Sequence, residues 1–155
     1  MGSIIPSSRS LSIHIANQAM ALDGAYPLVE FGPGCGAITA FLPERTLSVE
    51  IDEGFVEILK TKYPKRRILH TDAADYLGKL HSPVNIVSSI PLIGNPCSNK
   101  IKDAIKVAYS KGMIKSLITY SYGRKSPFSV CNFKKEQHTK LVLFNIPPAN
   151  IWVYS

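Results

Sequence analysis

Two kinds of apolar pattern alternate along this chain. Short apolar runs bounded by Gly, Pro, Ser or Asp predict strands over 27–31, 46–51, 67–71, 84–90, 114–121, 139–145 and 150–154. Between them, apolar residues recur at helical spacing and predict helices over 8–22, 35–42, 53–63, 73–79 and 98–111. The last is the clearest: Ile101, Ile105 and Ala108 share a face, Ser98 can cap the start and Gly112 the end. Asp52 and Glu53 stand where a helix N-terminus favours negative charge, and Pro64 stops that helix. Strand-helix alternation implies an α/β domain with a mostly parallel sheet. Only Ile146-Pro147-Pro148-Ala149 joins the last two strands, too little for a crossover helix, so they should pair antiparallel as an edge hairpin.

Composition narrows the class. The 155 residues suit one domain spanning 1–155, and 45% apolar residues is ordinary for a globular chain. No apolar run reaches the length of a membrane span, and no basic segment followed by an apolar stretch opens the chain as a secretory signal would. Cys35, Cys97 and Cys131 are odd in number and widely spaced, as expected of reduced thiols in the cytoplasm; Cys35 reads as a small filler within its loop. His14, His70, His81 and His138 show no ligand spacing, so no metal is expected. The net charge of +7 changes the picture more. Basic residues cluster at Lys60 to Arg67, Lys100 to Lys115 and Arg124 to Lys140, which favours a polyanionic partner, either nucleic acid or an anionic bilayer.

The candidate chemistry lies in Leu28-Val29-Glu30-Phe31-Gly32-Pro33-Gly34-Cys35-Gly36, with Glu50 at the tip of the next strand. Alternating glycines after a strand bring bare backbone close to a ligand and open a helix whose N–H groups point at it. An acid about 20 residues on is placed to accept hydrogen bonds from ribose hydroxyls. Dinucleotide sites use G-x-G-x-x-G because a pyrophosphate must be seated. Here Glu30-x-Gly32-x-Gly34-x-Gly36 offers no such seat, and a carboxylate ahead of it repels phosphate and attracts an ammonium or sulfonium. S-adenosylmethionine (SAM) carries both. A merely structural glycine turn leaves the two flanking acids unexplained.

With these residues in view, nearly the whole chain resembles bacterial phospholipid N-methyltransferases of the class I SAM type, which act on phosphatidylethanolamine or ornithine lipids. Ile4-Ile5-Pro6-Ser7-Ser8-Arg9 is similar to that family's opening motif, Val29 to Gly36 to its cofactor loop, and Ser88-Ser89-Ile90-Pro91-Leu92 to its segment after strand four. Tyr120-Ser121-Tyr122-Gly123 with Ser126-Pro127, and Asn145-Ile146-Pro147-Pro148-Ala149-Asn150-Ile151-Trp152, are similar to two further signatures. The resemblance implies a Rossmann-like methyltransferase fold: a seven-stranded, mostly parallel sheet with a C-terminal antiparallel hairpin and helices on both faces. It implies a monomer associated peripherally with the inner face of the cell membrane. Family members usually carry more sequence before the Pro-Ser-Ser-Arg motif, so membrane attachment by this chain is expected to be weaker or made elsewhere.

The resemblance also assigns the site. Gly32, Pro33, Gly34 and Gly36 should meet the methionine part of SAM, with Glu30 near its ammonium. Glu50 should hold the ribose and Ile51 pack on the adenine. Asp72 should accept from the adenine amino group, cap a helix, or both, while the Ala73 N–H faces a ring nitrogen. Ser88, Ser89 and Pro91 should stand beside the transferring methyl, with Leu92 toward a lipid headgroup. Ser7, Ser8 and Arg9 should close one wall, Arg9 alternatively binding a lipid phosphate. Tyr120 and Tyr122 either orient the acceptor amine or simply pack. In the first helix, Leu11, Ile15 and Leu22 oppose Ile13, Ala16 and Met20, so a second face is either open to acyl chains or buried. An amine like that of lysine, with a pKa of about 10, costs about 4 kcal/mol to hold neutral at pH 7, a cost that desolvation reduces.

The competing reading is an RNA adenine N6-methyltransferase. Such enzymes carry an Asn-Leu-Pro-Tyr or Asn-Pro-Pro-Tyr motif after strand four, in which an amide holds and a ring stacks on the flipped base. This chain has Ser89-Ile90-Pro91-Leu92 there, with neither. A third reading is a membrane-binding protein that keeps the fold without turnover.

Overall fold

In the computed structural model, residues 8–96, 98–128, 133–142 and 148–155 are described. Seven strands form one sheet, β1 (Leu28–Phe31), β2 (Leu47–Glu50), β3 (Arg67–His70), β4 (Val84–Ser88), β5 (Ile114–Tyr122), β6 (Glu136–Val142) and β7 (Ala149–Tyr154), in the order β3-β2-β1-β4-β5-β7-β6. The first five pair in parallel. β7 lies between β5 and β6, antiparallel to both, with Tyr120 opposite Ile151 and Leu141 opposite Asn150. The strand order reverses direction at β1 and β4, which opens a crevice at the carboxyl ends of these strands.

Among the described residues, four α-helices flank the sheet: α1 (Arg9–Met20), α2 (Glu53–Lys62), α3 (Ala73–Gly78) and α4 (Ser98–Ser110). Their starts follow from capping. Ser8, Asp52 and Asp72 accept the amides of Leu11, Phe55 and Ala74, groups with no partner inside their own helices. Strand alternation then divides the core. Val29, Phe31, Ile86 and Leu117 join α3 and α4 on one face, while Val87, Ile118 and Ile151 meet Leu11, Ile15, Ala16 and Ala19 of α1 on the other. Ala16 therefore sits with Leu11 and Ile15 instead of opposing them, and Met20 faces solvent.

Three expectations need correction. The helix expected over 35–42 is a run of turns ending in a single 3-10 turn, Thr39–Phe41, because Gly34 and Gly36 hold left-handed dihedrals that no α-helix contains. β4 ends at Ser88, and the last bond to its neighbour runs from the Ser89 N–H to the Phe31 carbonyl, so Ser89 and Ile90 belong to the exit loop. The sixth strand starts at Glu136, earlier than the expected 139, and residues 143–147 lie outside the described residues.

Candidate functional site

The glycine loop is shaped by positive φ angles of 64°, 55° and 86° at Gly32, Gly34 and Gly36. L-residues with side chains rarely adopt them. Close approach adds a second constraint. A Cβ on Gly32 would lie 2.8 Å from Ile90 Cγ1, and one on Gly36 2.7 Å from Tyr63 Cε2. Tyr63 also donates its hydroxyl to the Gly36 carbonyl at 3.1 Å, and Lys62 donates to the Cys35 carbonyl at 3.3 Å, so the end of α2 clamps the loop.

Glu50 ties this loop to the next one. Its Oε2 accepts the Gly34 amide at 3.0 Å, and its Oε1 accepts those of Ile51 at 2.9 Å and Asp52 at 3.0 Å. A nearly buried carboxylate that accepts backbone N–H groups still has lone pairs to offer hydroxyl donors. Asp72 is the second acid. Its Oδ1 accepts the amides of Ala74 at 2.7 Å and Asp75 at 3.4 Å, so the capping role holds.

Above these loops lies a cavity of about 450 Å³, within the range of small-molecule sites. The glycine loop contributes Gly32, Pro33, Gly34 and Cys35; the ends of β2 and β3 contribute Glu50, Ile51, Asp72 and Ala73. The exit of β4 contributes Ser89, Ile90 and Pro91, and β5 contributes Tyr120. Ser89 Oγ is buried with no hydrogen-bond partner among the described residues. Ile38, Phe55, Thr71, Asn95, Ser98, Lys100 and Ile101 are among the further residues of the wall, and the sequence motifs do not point to them. The signal for the last four was available, since α4 starts directly after the β4 exit and must bring its first turn to the crevice.

Other residues expected in the site stand elsewhere. Glu30 is fully buried behind the glycine loop, because Val29 and Phe31 claim the opposite strand face. Its carboxylate receives the hydroxyl of Thr39 at 2.9 Å and that of Ser48 at 2.8 Å. Burial pushes its pKa up to about 7, against the lowering effect of those hydroxyls and of Arg66. It therefore does not touch an ammonium in the cavity, and near neutral pH it is only partly charged. Leu92 packs into the core with Ile101 and Ile105 instead of facing a headgroup, and Gly36 lies under Tyr63 rather than on the wall. The Ser88 hydroxyl turns inward to accept the Ile90 amide at 3.4 Å. Ser8 caps α1, and neither it nor the exposed Arg9 lines the cavity; Ser7 is outside the described residues. Tyr122 projects at the end of β5, edge-on to Tyr120 with ring centroids 5.8 Å apart. Among the described residues, no group of three or more His, Cys, Asp or Glu could hold a metal, and no helix is long and apolar enough to cross a membrane.

No protein-family model and no curated protein matches the chain. Solved structures do. The chain is similar to the 23S rRNA methyltransferase ErmE at a TM-score of 0.68 and 21% identity, covering 95% of this chain and 67% of that one. It is similar to M. capricolum TrmK, solved with S-adenosylhomocysteine, at a TM-score of 0.64 and 9% identity, covering 94% and 69%. A SAM-dependent methyltransferase from Archaeoglobus fulgidus aligns at a TM-score of 0.64 and 12% identity, covering 95% and 94%. The fold is the Rossmann-like fold of the SAM-dependent methyltransferases.

Proposed function

We propose that this chain is a SAM-dependent N-methyltransferase. One observation carries the donor assignment: three glycines with left-handed φ sit beside a carboxylate whose both oxygens are aimed by backbone amides. The cavity fits such a donor: a Cβ on Gly34 would meet no protein atom within 4 Å, so the bare loop leaves open space beside Glu50. Gly32 and Gly34 would hold the amino-acid part, Glu50 the ribose, and Ile51, Asp72 and Ala73 the adenine. When bound, SAM supplies a methyl group activated by its sulfonium. The residues of the chain then supply alignment, the main need of a direct displacement. Tyr120 lines the same cavity and can orient a neutral amine, while apolar Ile90 and Pro91 desolvate it.

For the acceptor, we favour the amine of a membrane-lipid headgroup, reached by a chain that docks peripherally. The exit of β4 supports this reading, because Ser89-Ile90-Pro91-Leu92 provides no adjacent amide and ring for a flipped base, and it sits among the segments that resemble lipid N-methyltransferases. Two observations favour RNA as a second reading. Fold neighbours such as ErmE are named as RNA methyltransferases, and an amide and a ring, Asn95 and Tyr120, do reach the cavity from separate elements.

Methyl-labelled SAM separates the two. The chain is incubated with vesicles containing phosphatidylethanolamine and, separately, with ribosomal RNA. Label in the organic extract supports the lipid reading; label confined to precipitated RNA replaces it with the second.

A further inference from the structure

Asp72 is approached from across the cavity by a residue that neither the fold nor the donor assignment accounts for. Lys100, in the first turn of α4, places its Nζ 3.2 Å from Asp72 Oδ2 and 3.2 Å from Asp75 Oδ1. The Lys100 side chain is 62% exposed, and exposed ion pairs contribute little to stability. Yet Lys100 lines the cavity beside Asp72. The Asp72 carboxylate is thus held at both ends, by the amides of Ala74 and Asp75 on Oδ1 and by the Lys100 ammonium on Oδ2. A carboxylate oxygen accepts two hydrogen bonds, so Oδ2 keeps one lone pair, and Lys100 adds to the two amides on Oδ1 in fixing its direction.

We propose that Lys100 is a positioning residue for the donor's base: by holding Asp72 Oδ2 it presents one fixed acceptor, which selects a purine bearing a 6-amino group. The inference rests on the donor assignment above. It assigns to the Lys100–Asp72 pair a role in ligand choice, while Asp75 serves as the second anchor that keeps the ammonium from swinging into solvent. Burial acts to raise the Asp72 pKa, but the hydrogen bonds from Lys100 and the two amides prevail and lower it, which keeps the carboxylate an acceptor.

The test is calorimetric titration of the full chain with S-adenosylhomocysteine and with its counterpart in which unsubstituted purine replaces adenine. Lys100→Met is expected to weaken S-adenosylhomocysteine about fivefold, the scale of one weakened hydrogen bond. The counterpart, which has no 6-amino group, should bind the wild type and this variant equally, and Lys100→Arg should restore most of the loss. Equal weakening of both ligands makes Lys100 a general structural element and overturns the inference, as does no weakening of either. Failure of the wild type to bind S-adenosylhomocysteine overturns the donor assignment itself, an outcome distinct from the other two.

Discussion

Glu50 Oε2 accepts the Gly34 amide at 3.0 Å, so the acid at the tip of β2 also fixes the glycine loop that follows β1. One side chain thereby sets the distance between two loops that the proposed donor must bridge. Glu50→Ala frees three amides, at about 1–3 kcal/mol for each that stays unsatisfied and buried. We expect a lower melting temperature and at least a hundredfold loss of S-adenosylhomocysteine affinity. Glu50→Gln keeps an acceptor oxygen and should lose stability less than it loses affinity. Unchanged affinity in both variants, measured by calorimetry, contradicts the ribose role.

Gly36 faces the ring of Tyr63, and its φ of 86° is one that alanine tolerates poorly. Gly36→Ala should cost about 2–4 kcal/mol of unfolding free energy, from backbone strain and the contact together. The double variant Gly36→Ala with Tyr63→Leu removes the ring contact but leaves the strain and the 3.1 Å approach to Leu59, and it loses the Tyr63 hydroxyl bond to the Gly36 carbonyl. Chemical denaturation should therefore show it recovering only part of the loss.

The buried Glu30 predicts a pH dependence with a definite sign. Its carboxyl has an ordinary pKa of 4.5 and one of about 7 in the fold. The folded chain thus holds a proton that the unfolded chain releases between these values, and stability falls as pH rises from about 4.5 to about 7. The contribution is on the order of 3 kcal/mol, present in full at the acid end and lost above pH 7. Glu30→Gln should flatten this slope. The check is the difference between wild-type and variant unfolding free energies across that range; a difference independent of pH contradicts the shifted proton.

Tyr120 lines the cavity and Tyr122 stands outside it at ring contact. Under the proposed function, Tyr120→Phe should lower kcat about tenfold with donor affinity unchanged, as for loss of one orienting hydroxyl. Tyr122→Ala should instead raise the KM for the acceptor. Steady-state kinetics with varied acceptor distinguishes the two effects, and equal kcat losses in both contradict the separation of roles.

Most of the strands and the four helices of the described residues were legible because each announces itself locally, by an apolar run or by a cap such as Asp52; Ser98, expected to cap α4, is instead its first residue and donates its hydroxyl to the Asn95 carbonyl at 2.6 Å. The glycine loop was legible as chemistry but not as geometry. Local pattern suggests a helix at 35–42, whereas Gly36 takes a left-handed φ at a point where Tyr63 and Leu59, distant in sequence, leave no room for a side chain. Glu30 and Leu92 were misplaced for a related reason. Each is one residue of an apolar stretch, and only strand pairing and the packing of α4 determine which side it faces. The Lys100–Asp72 pair joins residues 28 apart on different helices, and no periodicity or motif encodes such a contact.

The donor assignment is tested most directly by calorimetric titration of the chain with S-adenosylhomocysteine, with a nicotinamide dinucleotide titrated in parallel. The account predicts saturable binding of the first at one site, lost in Glu50→Ala, and no heat from the second. Binding of the dinucleotide in place of S-adenosylhomocysteine contradicts it.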